Sequence, residues 1–124
     1  MVVINPIESI RQRYSTAGDY QEFDKRLHVR VTKMKDWRHT FLLAIHEFSE
    51  AAACKYLGIP FSAVDNWDLE YEKNRKAGDD SEPGEHEKCP YREAHYMALK
   101  IEMLAAVEFG IDWIEYEDAL NKTV

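Results

Sequence analysis

The chain has 124 residues, 45% of them apolar and 31% charged, a balance that suits one globular domain with a buried core and argues against two. With 16 Lys and Arg against 23 Asp and Glu, the net charge is −7, which excludes nucleic-acid backbones and anionic membrane surfaces as expected partners. No apolar run approaches the roughly 20 residues of a membrane span. The opening Met1–Pro6 is short and lacks the basic region of a signal peptide, so a cytoplasmic setting is expected, with Cys54 and Cys89 as free thiols.

In chain order, Asn5, Pro6 and Glu8 read as a helix start: a capping side chain, a proline at the first helical position and an acid three residues after the cap. Ile7, Ile10 and Tyr14 follow at helical spacing, and Gly18 ends that helix or the loop after it. Leu27–Thr32 alternates apolar and polar, the period of a half-buried strand. Its partner is either Val2–Ile4 or Asp19–Phe23. A helix is expected over Trp37–Leu57, capped by Gly58 and blocked by Pro60, and a second over Phe61–Lys73. Residues 76–90 form a polar acidic loop. Helices over Tyr91–Phe109, closed by Gly110, and over Asp112–Asn121 complete the chain. The expected fold is a single α+β domain over residues 1–124, mainly helical, with a small strand element before the helix that carries His46.

That helix holds the chemistry. At about 100° per residue, His46 and Glu50 project together one turn apart, within the same sector as Leu42, Leu43, Ala53 and Leu57, while Glu47 falls at its edge. An ionised carboxylate in an apolar sector must be paired or bound to a metal. On the helix 91–109, His95 and Glu102 lie two turns apart on one apolar face. If the two faces pack together, four ligand-type side chains converge. His46, Glu50 and His95 would then hold zinc or another divalent metal with an open position for water. Glu102 would be a fourth ligand, a partner orienting a histidine, or a buried carboxylate satisfied by a tyrosine or histidine.

His46-Glu47-Phe48-Ser49-Glu50 is a variant of the H-E-x-x-H zinc helix with the second histidine replaced by Glu50. The run Trp37–Ala51 resembles the active-site helix of zincin-type metallopeptidases. The resemblance implies a zincin-like fold, His46 as ligand and Glu47 as general base. Residues 35–117 also resemble a group of small proteins encoded by phages and prophages. The resemblance is carried by His46-Glu47-x-x-Glu50-Ala51, Cys54, Gly58-Ile59, Val64-Asp65, Glu82-Pro83-Gly84, Pro90-Tyr91-Arg92, His95, Glu102 and Asp112-Trp113. It implies a host cytoplasm as the setting.

Other residues have plainer roles. Asp65 is expected to cap a helix beginning near Asn66, and Asp68 could support the site. His39 is expected at the surface, and Trp37, Trp67 and Trp113 in the core or at a groove edge. His86 and Cys89 have metal-type spacing but no second pair. Three functions follow: a zinc-dependent, peptidase-like hydrolase acting on a protein or peptide; an acidic non-enzymatic protein that binds or inhibits a host protein; and a magnesium-dependent nucleotide hydrolase using Glu47, Glu50, Glu102 and Asp65 or Asp68. Oligomeric state is left open.

Overall fold

In the computed structural model, which describes every residue except 9, 10, 14, 15 and 124, three strands and four α-helices form a small α+β domain. They run β1 (Val2–Ile7), β2 (Gly18–Phe23), β3 (Arg26–Thr32), α1 (Trp37–Leu57), α2 (Phe61–Lys73), α3 (Arg92–Glu108) and α4 (Trp113–Thr123). β3 is the central strand. β1 runs parallel to it, with Val2 beside Leu27 and Ile7 beside Thr32. β2 runs antiparallel on the other side, with Gly18 beside Val31 and Phe23 beside Arg26. Both candidate partners of the Leu27–Thr32 strand are therefore used.

β1 replaces the helix expected from Asn5. Capping residues favour a helix start, but a helix persists in water only when an apolar face is buried. Val2, Val3 and Ile4 are β-branched and extend naturally, and Pro6 is tolerated because β1 is an edge strand. Ile10 and Tyr14 lie outside the described residues. Gly18 is the first residue of β2, not a terminator. Asp24 and Lys25, with φ of 53° and 59°, make the two-residue turn between β2 and β3.

Along β3, Leu27, Val29 and Val31 are buried beneath α1, while His28 and Arg30 alternate to the other side and are half-buried. Asp36 caps α1 by accepting the Arg38 N–H at 2.9 Å. Gly58 ends it with φ 72°, in the left-handed region. Asp65 does not cap a helix; it sits inside α2, where Arg13 donates to it at 3.0 Å while also holding buried Asp19 at 2.5 Å. The acidic loop 76–90 is irregular apart from one 3-10 turn, Pro83–Glu85. It is pinned from α2: the Trp67 indole donates to the Pro83 carbonyl at 3.0 Å, and Arg75 donates to the carbonyls of Asp79 and Ser81. Trp37, expected in the core or at a groove edge, is 74% exposed.

Two apolar clusters meet around α1. One, with Tyr20, Val29, Val31, Leu43 and Cys54, fills the space between sheet and helices. The other, Leu42, Ala106, Ile111 and Tyr116, is closed by α4. Both cysteines are buried free thiols. Among the described residues no helix is long and apolar enough to cross a membrane. Leu42 is fully buried where α1, α3 and α4 meet. Leu42→Ala is therefore expected to cost about 2–5 kcal/mol, seen as a lower urea midpoint with an unchanged denaturant slope.

Candidate metal centre

α1 and α3 pack side by side and turn their ligand-bearing faces inward. His46, Glu50, His95 and Glu102 are all buried, at 9%, 5%, 6% and 4% exposure. His46 Nε2 lies 3.1 Å from Glu50 Oε2, and His95 Nδ1 lies 3.0 Å from that same oxygen. One ligand atom from each of His46, Glu50 and His95 falls within 4.8 Å of the other two. Three atoms bound to a tetrahedral zinc at 2.0–2.1 Å stand about 3.3 Å apart, so small side-chain adjustments bring this trio onto one ion. Two imidazole nitrogens and a carboxylate oxygen also form a donor set that suits such a metal.

Glu102 does not belong to the trio. It lies behind His46, with Oε1 2.7 Å from His46 Nδ1, and its Oε2 accepts the Tyr116 hydroxyl at 2.5 Å. Of the roles expected for Glu102, these contacts match a partner that orients a histidine: Glu102 fixes the ring and leaves Nε2 facing Glu50. A tyrosine holds the other carboxylate in the same way. Tyr20 donates to Glu50 Oε1 at 2.6 Å, which leaves Oε2 for the two histidines. Such outer contacts orient metal-binding histidines and carboxylates.

Burial works against a charged His46, but its hydrogen bonds to Glu102 and Glu50 outweigh that and push the imidazole well above its usual range. Burial would raise Glu50, but His46 and His95 hold it down to about 2. Glu47 behaves in the opposite way. Burial, with Glu50 as a neighbouring charge, pushes it well above the carboxylate range, and among the described residues no hydrogen bond reaches its side chain. Glu47 lines a cavity of about 690 Å³ that opens onto the trio, with Tyr20, Asp68, Tyr91 and Trp113 also on its walls.

Two glycines shape this site, and nothing in the sequence pattern marks them for that role. A Cβ on Gly18 would come within 2.8 Å of Glu47 Cγ. A Cβ on Gly84 would come within 2.6 Å of Cγ and Nδ1 of His95. The start of β2 and the 3-10 turn thus lie flush against those two side chains. Tyr20 and Tyr116 were also missed as site residues, because their roles depend on how β2 and α4 meet the helices.

The remaining candidates lie outside the trio, although Asp65 and Asp68 also line the cavity. Asp68 accepts the Tyr91 hydroxyl at 2.5 Å, and Asp65 is taken by Arg13. His39, expected at the surface, is buried, with its ring 5.6 Å from that of Tyr116. His86 stands beside Trp67 and Tyr71, and neither it nor Cys89 joins a ligand group among the described residues. No protein-family model matches the chain, and no curated protein or solved structure is detectably similar to it.

The titrations set a sign for stability against pH. His46, raised on folding, contributes fully below about pH 6.5, and the contribution fades as pH rises through its folded value. Glu50, lowered on folding, contributes above about pH 4.5, and the contribution fades as pH falls toward about 2. In chelator, His46→Ala should remove the His46 share of the decline in urea midpoint above about pH 6.5, while the Glu47 share, which sets in above about pH 4.5, remains. Glu47, raised on folding, costs stability at neutral pH. Glu47→Gln is expected to raise stability at pH 7, seen as a higher Tm by calorimetry.

Proposed function

We propose that the protein is a metal-dependent hydrolase in which His46, Glu50 and His95 hold a zinc-type divalent ion and Glu47 acts as general base. The observation that carries this reading is the convergence of those three ligand atoms within 4.8 Å, from two helices, beside an open cavity. The likeness of the α1 sequence to the zincin active-site helix agrees with it, with Glu50 in place of the second histidine.

Within this reading each side chain has a defined task. Glu102 and Tyr116 orient His46, and Tyr20 orients Glu50. A bound ion supplies Lewis acidity toward water and toward the carbonyl of an amide or ester. Glu47 accepts the proton of the attacking water and passes it to the leaving group. Partial burial raises its proton affinity, the direction in which a carboxylate becomes a stronger base. The substrate is a protein or peptide that enters through the cavity.

A second reading is favoured by one observation: the network is hydrogen-bonded without an ion, since both ring nitrogens of His46 and the shared Glu50 oxygen have partners. The cluster is then a structural core of an acidic protein that binds a host protein. Elemental analysis of untagged protein separates the two. The hydrolase reading expects about one zinc-type ion per chain, lost in His46→Ala and His95→Ala. Glu47→Gln should keep the ion and lower turnover of a peptide or ester probe by about 100-fold or more. Wild type that stays metal-free after incubation with zinc, cobalt or manganese overturns the hydrolase reading in favour of the structural one.

A further inference from the structure

Among the described residues, twelve acids line the cavity beside the trio, against one arginine and no lysine. Part of that charge is already answered. Four of the acids are paired with Arg13 or Arg75, two with the histidines, and Asp68 accepts the Tyr91 hydroxyl. Glu47, Asp80, Glu82, Glu85 and Glu117 have no ion pair or side-chain hydrogen bond among the described residues. They come from α1, the acidic loop and α4. These five are not a second metal centre, because outside the trio no three ligand atoms converge among the described residues. Nor are they a bare acidic surface. They wall a cavity of about 690 Å³, in the size range of sites that enclose a ligand, and the trio lies on the same wall.

We propose that this cavity takes the cationic side chain of a peptide, so that the hydrolase acts beside a lysine or arginine. The proposal rests on the hydrolase reading for the reaction, and on the cavity alone for the choice of residue. A cleft walled by one sign of charge focuses its field and concentrates ligands of the opposite sign. A bound divalent ion brings two positive charges, fewer than the unanswered carboxylates, so the sign of the field survives loading. The wall also has both parts that a lysine or arginine needs. Trp113 and Glu117 lie one turn apart on α4, and both line the cavity. The indole offers a surface for the aliphatic stem, and the carboxylate a partner for the charged head. The Trp113 ring meets Tyr116 edge-on at 5.3 Å, and Tyr116 holds Glu102 behind His46, so this pair is joined to the metal centre through α4. Glu82 brings a second exposed carboxylate within electrostatic reach of His46, His95 and Tyr116. Its place on the wall is fixed by the contacts of Trp67 and Arg75 to the loop on either side of it.

Titration calorimetry with short peptides whose ends are neutral tests it. The protein is held in chelator, and the peptides differ only in carrying two lysines, two glutamines or two glutamates. The lysine peptide is expected to bind about 10-fold or more tighter than the glutamine peptide, and the glutamate peptide more weakly than either. Raising sodium chloride from about 20 to about 300 mM should reduce that preference several-fold. Glu82→Lys and Glu117→Lys, both exposed changes, should each lower lysine-peptide affinity about 10-fold with an unchanged circular dichroism spectrum. Glu108→Lys makes an equal change of net charge outside the cavity and should lower it less than about 2-fold. The proposal fails if no peptide binds, if the three bind alike, or if Glu108→Lys weakens binding as much as the cavity variants. Selective binding by a chain that takes up no metal overturns the hydrolase reading and leaves the preference for cations standing. Absence of that preference in a chain that takes up zinc overturns this proposal and leaves the hydrolase reading intact.

Discussion

One carboxylate oxygen organises the interior of this protein. Oε2 of Glu50 is shared by imidazoles from two helices that are distant in sequence, while Oε1 is held by a tyrosine from the sheet. Burying that carboxylate alone would cost several kcal/mol. Ringed by donors, it becomes the point on which α1, α3 and β2 are aligned. Any sliding of α1 along α3 would break the contacts of Glu50 to His95 and of His46 to Glu102 together. The polar cluster therefore specifies the register of two helices whose alanine-rich contact surface would tolerate several. The same set of partners keeps Oε2 and His46 Nε2 facing one another, which is what the proposed ion would need.

Glu47 stands one residue from this arrangement and lacks its protection. It is half-buried on the cavity wall, has no hydrogen-bond partner among the described residues, and its proton affinity rises as a result. A group stored in that state at neutral pH is a cost to folding. Of its neighbours, Glu50 has three hydrogen-bond partners and Glu102 two, so the cost is local to one side chain on the cavity wall. That division suits a site in which the surrounding groups orient and one group transfers a proton.

Much of this was legible in the residues. The limits of α1 follow from Gly58 and Pro60, and the inward turn of His46 and Glu50 follows from their spacing among leucines and alanines. His95 and Glu102, seven apart, share a face by the same arithmetic, and the meeting of the two faces needs only that apolar surfaces pack. The first twenty residues were not legible. Asn5 and Pro6 carry helix-start signals, and the edge strand prevails because β3 offers hydrogen-bond partners that local spacing does not reveal. The distinct task of Glu102 was also hidden. Whether a carboxylate meets a ring nitrogen from the front or from behind depends on side-chain placement, and Tyr116 pulls it to the rear from a helix late in the chain.

Gly18 and Gly84 differ in kind from the glycine that ends α1. Gly58 is used for its backbone angle, whereas these two are used for what they omit. Bare main chain serves as the wall of a mould, and the parts cast against it are the carboxylate of Glu47 and the ring of His95. Because a main-chain wall has no rotamers, it cannot swing aside, and the smallest possible addition to either position would displace a functional group rather than a neutral neighbour. A substitution at either position would therefore press on a group of the site, although the position itself carries no side chain.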